Sequence, residues 1–177
     1  MKYKLVMPCK KHEKEWIEYS KEYISFNPSL KPLEYTLNMN FNEWLKSIKN
    51  EMKGKNLKTG RVPSTKYFLI NEEEKIIGGI SIRHNIDNEY LFNYGGHIGY
   101  GIRPSERNKG YGKLILKLGL AKIKKIGIDR VLITCFDNNI YSKKIIEDNG
   151  GILENKIPLD SKLMCRYWID LGGQNNE

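Results

Sequence analysis

Apolar positions recur along this chain with two periods, and the switching between them sets the expected elements. Residues 4–7 form a short apolar run closed by Pro8, which reads as a strand. Trp16/Ile17, Tyr19/Ser20 and Tyr23/Ile24 then return at helical spacing and stop before Asn27-Pro28, so a first helix is expected there. Phe41, Trp44, Leu45 and Ile48 mark a second helix ending near Gly54. The irregular, proline-containing stretch 27–40 between them reads as a lid or substrate rim.

A basic loop, 55–64, leads to a hairpin of strands 67–71 and 75–84 turning at Asn71-Glu72-Glu73-Glu74. The polar segment 85–93 runs into a glycine-rich strand, 95–102. Tyr111, Leu114, Ile115 and Leu118 then fall at i, i+3, i+4 and i+7, predicting a helix from about 110 to 126 closed by Gly127. An apolar strand 131–135 follows. Asn138-Asn139 caps a helix over 140–148, and strands at about 152–157 and 163–169 precede a polar tail, 172–177. The order is β-α-α-β-β-β-α-β-α-β-β, without a repeat or a dividing linker, so residues 1–177 are expected to form one α/β (α+β) domain.

Composition changes this picture little. A chain of 177 residues buries roughly 70% of its unfolded surface, enough for a sizeable core. No apolar run approaches the ~18 residues of a membrane span, and the N-terminal apolar patch is too short for a signal peptide. The expectation is a cytoplasmic protein with no membrane contact. Cys9, Cys135 and Cys165 are odd in number and widely spaced, giving neither a metal pair nor a disulfide framework, and no metal site is legible. The net charge of +9 favours an anionic ligand in general terms. Acids interleave the bases, as in Lys10-Lys11-His12-Glu13-Lys14-Glu15, which reads as solvated helix surface rather than a nucleic-acid face.

Candidate chemistry concentrates in residues 95–112, GGHIGYGIRPSERNKGYG. A strand runs through Arg103-Pro104 into a basic, glycine-rich turn where a helix begins. The first N–H groups of that helix have no partner of their own, and Gly110 and Gly112 leave room for a phosphate to approach. Arg107, Lys109 and Lys113 add positive charge, so the turn reads as an anion cradle. It is not a P-loop, because Arg107 stands where the first glycine belongs and Leu114 follows Gly112-Lys113. Ile115 likewise breaks the dinucleotide fingerprint.

What remains, Arg107-x-x-Gly110-x-Gly112 after a strand, resembles the acetyl-CoA pyrophosphate motif of the GNAT N-acetyltransferases. Residues 137–151, DNNIYSKKIIEDNGG, resemble the family's second signature, with Asn139, Ser142, Ile145 and Gly150 at matching positions. GGHIGYGIRPSER and RYWIDL are also similar to a subgroup of predicted bacterial acetyltransferases. The resemblance spans about residues 2–171. It implies the GNAT fold, a mixed central sheet of about seven strands with four helices, and acetyl-CoA (coenzyme A) as cofactor.

The resemblance further implies that the backbone of Tyr100, Gly101 and Ile102 pairs with the pantetheine arm. The amides of Asn108, Lys109, Gly110, Tyr111, Gly112 and Lys113, with Arg107, hold the pyrophosphate, and Asn139 and Ser142 reach the pantetheine or the departing sulfur. An amide near Ile102 polarises the thioester carbonyl. The acceptor is a small-molecule amine or a peptide, and a homodimer is compatible with the family.

For the base, His97 is the foremost candidate, because it precedes Ile102 by five residues and titrates near neutrality. The alternative is a structural histidine hydrogen-bonded under the sheet. His84 is a further candidate. Relatives often carry a tyrosine acid where this chain has Ile146, so Tyr141 is the substitute considered for proton donation, against a packing or cofactor-contact role. Glu34, Tyr35 and Tyr90 are candidate lining residues of the acceptor pocket. Direct transfer in a ternary complex is expected, the alternative being an acyl-CoA-binding domain without catalysis.

Overall fold

The computed structural model describes residues 2–172, so the expected tail lies outside the described residues from 173 onward. The elements follow the expected order: β1 (Lys4–Val6), α1 (Glu13–Phe26), α2 (Phe41–Met52), β2 (Ser64–Ile70), β3 (Ile76–Arg83), β4 (Ile98–Ile102), α3 (Tyr111–Lys124), β5 (Arg130–Phe136), α4 (Ile140–Glu147), β6 (Ile152–Leu159) and β7 (Lys162–Asp170). The expected single sheet is divided. β1-β2-β3-β4 form one antiparallel sheet and β5-β7-β6 another, and no ladder joins β4 to β5.

Two chemically different cores cover the first sheet. The apolar stripe of α3, with Ile115, Leu116, Leu120 and Ile123, packs on Ile80, Ile82 and Ile98, and joins Val131 and Ile133 of β5 in an aliphatic core. The other core is aromatic, because α1 and α2 present Trp16, Tyr19, Tyr23, Phe41 and Trp44 at helical spacing. Trp16 is fully buried, with Phe68, Tyr19 and Trp44 stacked at centroid distances of 4.6, 4.9 and 5.3 Å. Stacks of this kind add about 0.5–1.5 kcal/mol each beyond the area they bury.

Each helix boundary has a local cause. Asn40 caps α2 by accepting from the N–H groups of Asn42 and Glu43, and Asn139 caps α4 by accepting from Ser142. Arg103, at the end of β4, is buried and bonded to Glu15 at 2.5 Å and Glu22 at 2.6 Å, which fixes α1 against the turn that starts α3.

The strand expected over 95–102 starts late. Residues Leu91–Gly95 form a π-helical turn, and β4 begins only at Ile98. The break sits at Gly96, whose φ of 60° is left-handed and whose missing Cβ would lie 2.7 Å from the Leu132 carbonyl oxygen. Only glycine combines that conformation with that approach to β5.

Gly96→Ala is expected to cost at least about 2 kcal/mol, from backbone strain plus the displaced β5 carbonyl. Urea unfolding of the purified variant measures it, and a loss below ~0.5 kcal/mol would remove the proposed constraint.

Candidate functional site

Immediately after Gly96, the two sheets touch and then part. His97 N–H donates to the Leu132 carbonyl at 2.8 Å, and Leu132 N–H donates back to Nδ1 of the His97 ring at 3.0 Å. The ring thus takes the acceptor place that a strand carbonyl would fill. Its Nδ1 lone pair is occupied, so the neutral ring carries its proton on Nε2. His97 is 5% exposed, and burial pushes its pKa down to about 4. This is the structural alternative raised for His97: the ring is a pin between the sheets, and its basic nitrogen is already committed.

Past this pin, β4 has a free edge. Arg83 N–H donates to His97 O, and Arg103 N–H to Ile77 O. By the alternation of an antiparallel ladder, Gly99 and Gly101 turn their backbone groups to β3, while Ile98, Tyr100 and Ile102 turn theirs outward. Of the three residues expected to face a pantetheine arm, Tyr100 and Ile102 present backbone to the edge and Gly101 does not. The Ile102 carbonyl also accepts from Arg107 Nε at 3.2 Å. Across the gap, the Tyr100 hydroxyl lies 3.2 Å from Ser142 Oγ, and burial pushes the phenol up to about 12.

The edge leads into the expected anion cradle. Asn108 and Gly110 both adopt left-handed backbone, with φ of 61° and 83°, which turns successive N–H groups toward one side. Among the described residues, no amide from 108 to 113 donates to a protein acceptor, and the helical ladder starts with Leu114 N–H on Gly110 O. A Cβ on Gly110 would meet nothing within 4 Å, so the space in front of these amides is open. Gly112 serves packing instead: its Cβ would lie 2.4 Å from Ile145 of α4.

The cradle's cations differ in availability. Lys109 pairs with Glu106 at 2.9 Å and Lys113 with Asp148 at 3.5 Å. Arg107 has no carboxylate partner among the described residues; its guanidinium lies 4.2 Å from the centroid of the Phe26 ring and 5.5 Å from that of Tyr23. The Tyr111 hydroxyl is turned away to Tyr3, at 2.6 Å.

On the other face of β4 lies a cavity of about 230 Å³, bounded by α1, residues 30–34 and strands β2 to β4. Its floor is bare at Gly99, is covered by Leu33 over Gly79 and by Tyr23 over Gly101, and is polar where Lys66, Ser81 and Arg83 line it. Tyr19 and Tyr23 form a wall, and burial raises both phenols above their usual range. The rim is strained, since Leu33 and Glu34 are consecutive non-glycine residues with φ of 47° and 65°.

The remaining sequence candidates scatter. Tyr141 is 68% exposed on α4 and does not line the cavity. Asn139 spends its carbonyl oxygen on the α4 cap. Glu34 lines the cavity as expected, whereas Tyr35 is buried in the aromatic core, donating to Met39 O, and Tyr90 is exposed beside Tyr94. His84 bonds Thr65 Oγ1 at 2.8 Å, with its pKa lowered by burial. Sequence reasoning missed Lys66, Ser81 and Arg83. The legible signal was the alternation of β3, where Gly79, Ser81 and Arg83 interrupt Ile80 and Ile82 with one polar, small-residue face.

The sheet split, the open edge and the cradle can now be compared with known proteins. A family model described as the acetyltransferase (GNAT) family matches residues 20–150. No curated protein sequence matches the chain. Among solved structures, the chain is similar to a ribosomal-protein-S5-alanine acetyltransferase from Vibrio fischeri, at 15% identity and a TM-score of 0.68, covering 95% of this chain and 92% of that one. It is also similar to the spermidine N-acetyltransferase from Vibrio cholerae in complex with CoA and spermine, at 13% identity and a TM-score of 0.63, covering 96% and 95%. The microcin C7 self-immunity acetyltransferase, in complex with acetyl-CoA and AMP, gives 20% identity and a TM-score of 0.66, covering 95% and 92%. At these identities the structures establish a shared fold. No helix among the described residues is long and apolar enough to cross a membrane.

The His97 pin makes stability depend on pH. Its folded pKa lies below its unfolded value of about 6.5, so the unfolded chain binds the proton more tightly. Its contribution is therefore complete above pH ~6.5 and lost as pH falls toward 4. Chemical denaturation from pH 7 to 4 should show this loss, up to about 3 kcal/mol, and His97→Gln should flatten it. An unchanged slope in His97→Gln sinks the assignment.

Proposed function

The chain belongs to the GNAT acetyltransferase family, and from that premise we propose that it moves an acetyl group from acetyl-CoA to a primary amine by direct transfer in a ternary complex. The observation that carries the reading is the arrangement around β4: an open edge, unpartnered amides at one end of it, and a cavity on its bare face. The amides of residues 108–113 fit a pyrophosphate because they offer donors without protein acceptors, and Arg107 adds a charge that no carboxylate among the described residues neutralises. Tyr100 and Ile102 fit an extended arm laid along the edge as an added strand. When bound, acetyl-CoA would supply an activated acetyl thioester: the C–N bond forms as the C–S bond breaks, and coenzyme A leaves as the thiol, gaining a proton for the one that the amine gives up.

The protein's own part is to position. The cradle holds the anion, β4 aligns the arm, and the cavity admits the amine beside Gly99, within reach of the strand edge. The Tyr19 and Tyr23 hydroxyls, kept protonated by burial, act as donors on the cavity wall rather than as bases. No acyl-carrier cysteine enters this scheme. Burial pushes the Cys135 thiol up to about 11 and raises Cys165 as well, which keeps both protonated.

Two experiments test the reading. Gly110→Asp places a side chain and a negative charge in the open cradle, and Arg107→Ala removes its carboxylate-free cation. Each should raise the acetyl-CoA Kd at least about tenfold, or ~1.4 kcal/mol, by calorimetry. Unchanged affinity in both variants would defeat the cradle. Gly99→Ala puts a methyl group on the cavity floor without touching protein, since nothing lies within 4 Å of the added Cβ. Acceptor KM should rise roughly tenfold with acetyl-CoA affinity preserved. Tight cofactor binding with no acetylation of any amine would identify a binding domain instead.

A further inference from the structure

The cavity floor holds a cation that the fold does not neutralise. Arg83 is half-buried at the end of β3 and lines the cavity. Its Nη1 donates to the Gly95 and Gly96 carbonyls, at 3.0 and 2.9 Å. Among the described residues, its Nε and Nη2 have no protein partner, and no carboxylate lies within ion-pair distance. The neighbouring charges are accounted for differently. Lys66 is paired with Glu51 at 2.6 Å, and Glu34 at the rim is paired with Arg61.

Leaving a partly desolvated guanidinium without a counter-ion is unfavourable, and its open fork matches a planar, bidentate anion. Ser81 lies two residues before Arg83 on the same face and has no hydrogen-bond partner among the described residues, so it adds a free hydroxyl beside the fork. Ser81 is also the register partner of Gly99. An acceptor lying over Gly99 therefore has Ser81 beside it and Arg83 about 7 Å further along β3, at the usual strand rise. The volume of about 230 Å³ suits a small molecule or the end of a chain.

We propose that the acceptor is an amine bearing a carboxylate, held by the free fork of Arg83 with Ser81 beside it, so that its amino group is presented over Gly99. This rests on the acetyltransferase reading above and adds the chemical class of the substrate. The Arg83 fork discriminates the acceptor from polyamines and other purely cationic amines, which the unneutralised guanidinium repels.

The test uses matched pairs: lysine against cadaverine, phenylalanine against phenethylamine, with phosphoethanolamine as a phosphoryl-bearing amine. The wild-type enzyme should acetylate the carboxylate member with kcat/KM roughly 10- to 100-fold above its decarboxylated twin, the range expected for one charged hydrogen-bonded contact. Arg83→Gln should collapse that ratio toward one through KM, with acetyl-CoA Kd unchanged. Arg83→Lys keeps the charge without the fork and should recover part of the preference, guarding against a variant that merely folds poorly. Carboxylate binding to the CoA complex, followed by calorimetry, gives a readout independent of turnover. Equal or better turnover of the decarboxylated twins, preference for phosphoethanolamine, or a ratio indifferent to Arg83 overturns the proposal while leaving acetyl transfer intact. Arg83-dependent carboxylate binding without acetylation of any amine supports it and overturns the proposed function instead.

Discussion

The pairing of His97 with Leu132 is the constraint on which the rest of this structure depends. It supplies two hydrogen bonds between the sheets, one through a side chain that substitutes for a peptide carbonyl. Beyond it no ladder joins β4 to β5, and the outward-facing groups of Ile98 and Tyr100 and the Ile102 N–H stay available, while the Ile102 carbonyl is taken by Arg107. An unpaired strand edge is ordinarily a liability. Here it is short, and Tyr100 reaches from it to Ser142 of α4. The neighbouring turn, Leu91–Gly95, is held from both sides, by Arg83 of the first sheet and by Thr134 and Arg166 of the second.

The two faces and the edge of one strand divide the work. Alternation sends Gly99, open to the cavity, and Gly101, covered by Tyr23, to one face, the Ile98 side chain to the aliphatic core, and the backbone of Tyr100 and Ile102 to the edge. The open edge and the cavity therefore meet along five residues. The clamp of Arg103 on Glu15 and Glu22 ties α1, a wall of the cavity, to the turn that carries the cradle. That clamp also takes up nearby acids, which leaves Arg107 without a carboxylate to compete with an incoming anion.

Acids interleave the bases along the chain, so the net charge of +9 does not by itself say where an anion docks. Two arginines near β4 have no carboxylate partner among the described residues, Arg107 at the turn before α3 and Arg83 in the cavity. Neither stands out by composition. Paired residues such as Lys66, Lys109 and Arg103 look the same in the sequence.

The element order, the helix faces and the open glycine turn before α3 were all legible in the chain, because they rest on short-range facts. Helical periodicity, an Asn cap, a left-handed glycine and a run of amides at a helix start each need only neighbouring residues. The motif around Arg107, Gly110 and Gly112 was readable for that reason. The role of His97 was not. Whether that ring serves as a base or as a pin depends on Leu132, 35 positions away, and on a left-handed Gly96 that brings the two strands into contact. The division of the sheet, the unneutralised state of Arg83 and the acceptor cavity likewise depend on which distant groups arrive beside them. Sequence determined which local structures form and where an anion could dock; tertiary packing alone decided which polar groups would be satisfied by the protein and which left for a ligand.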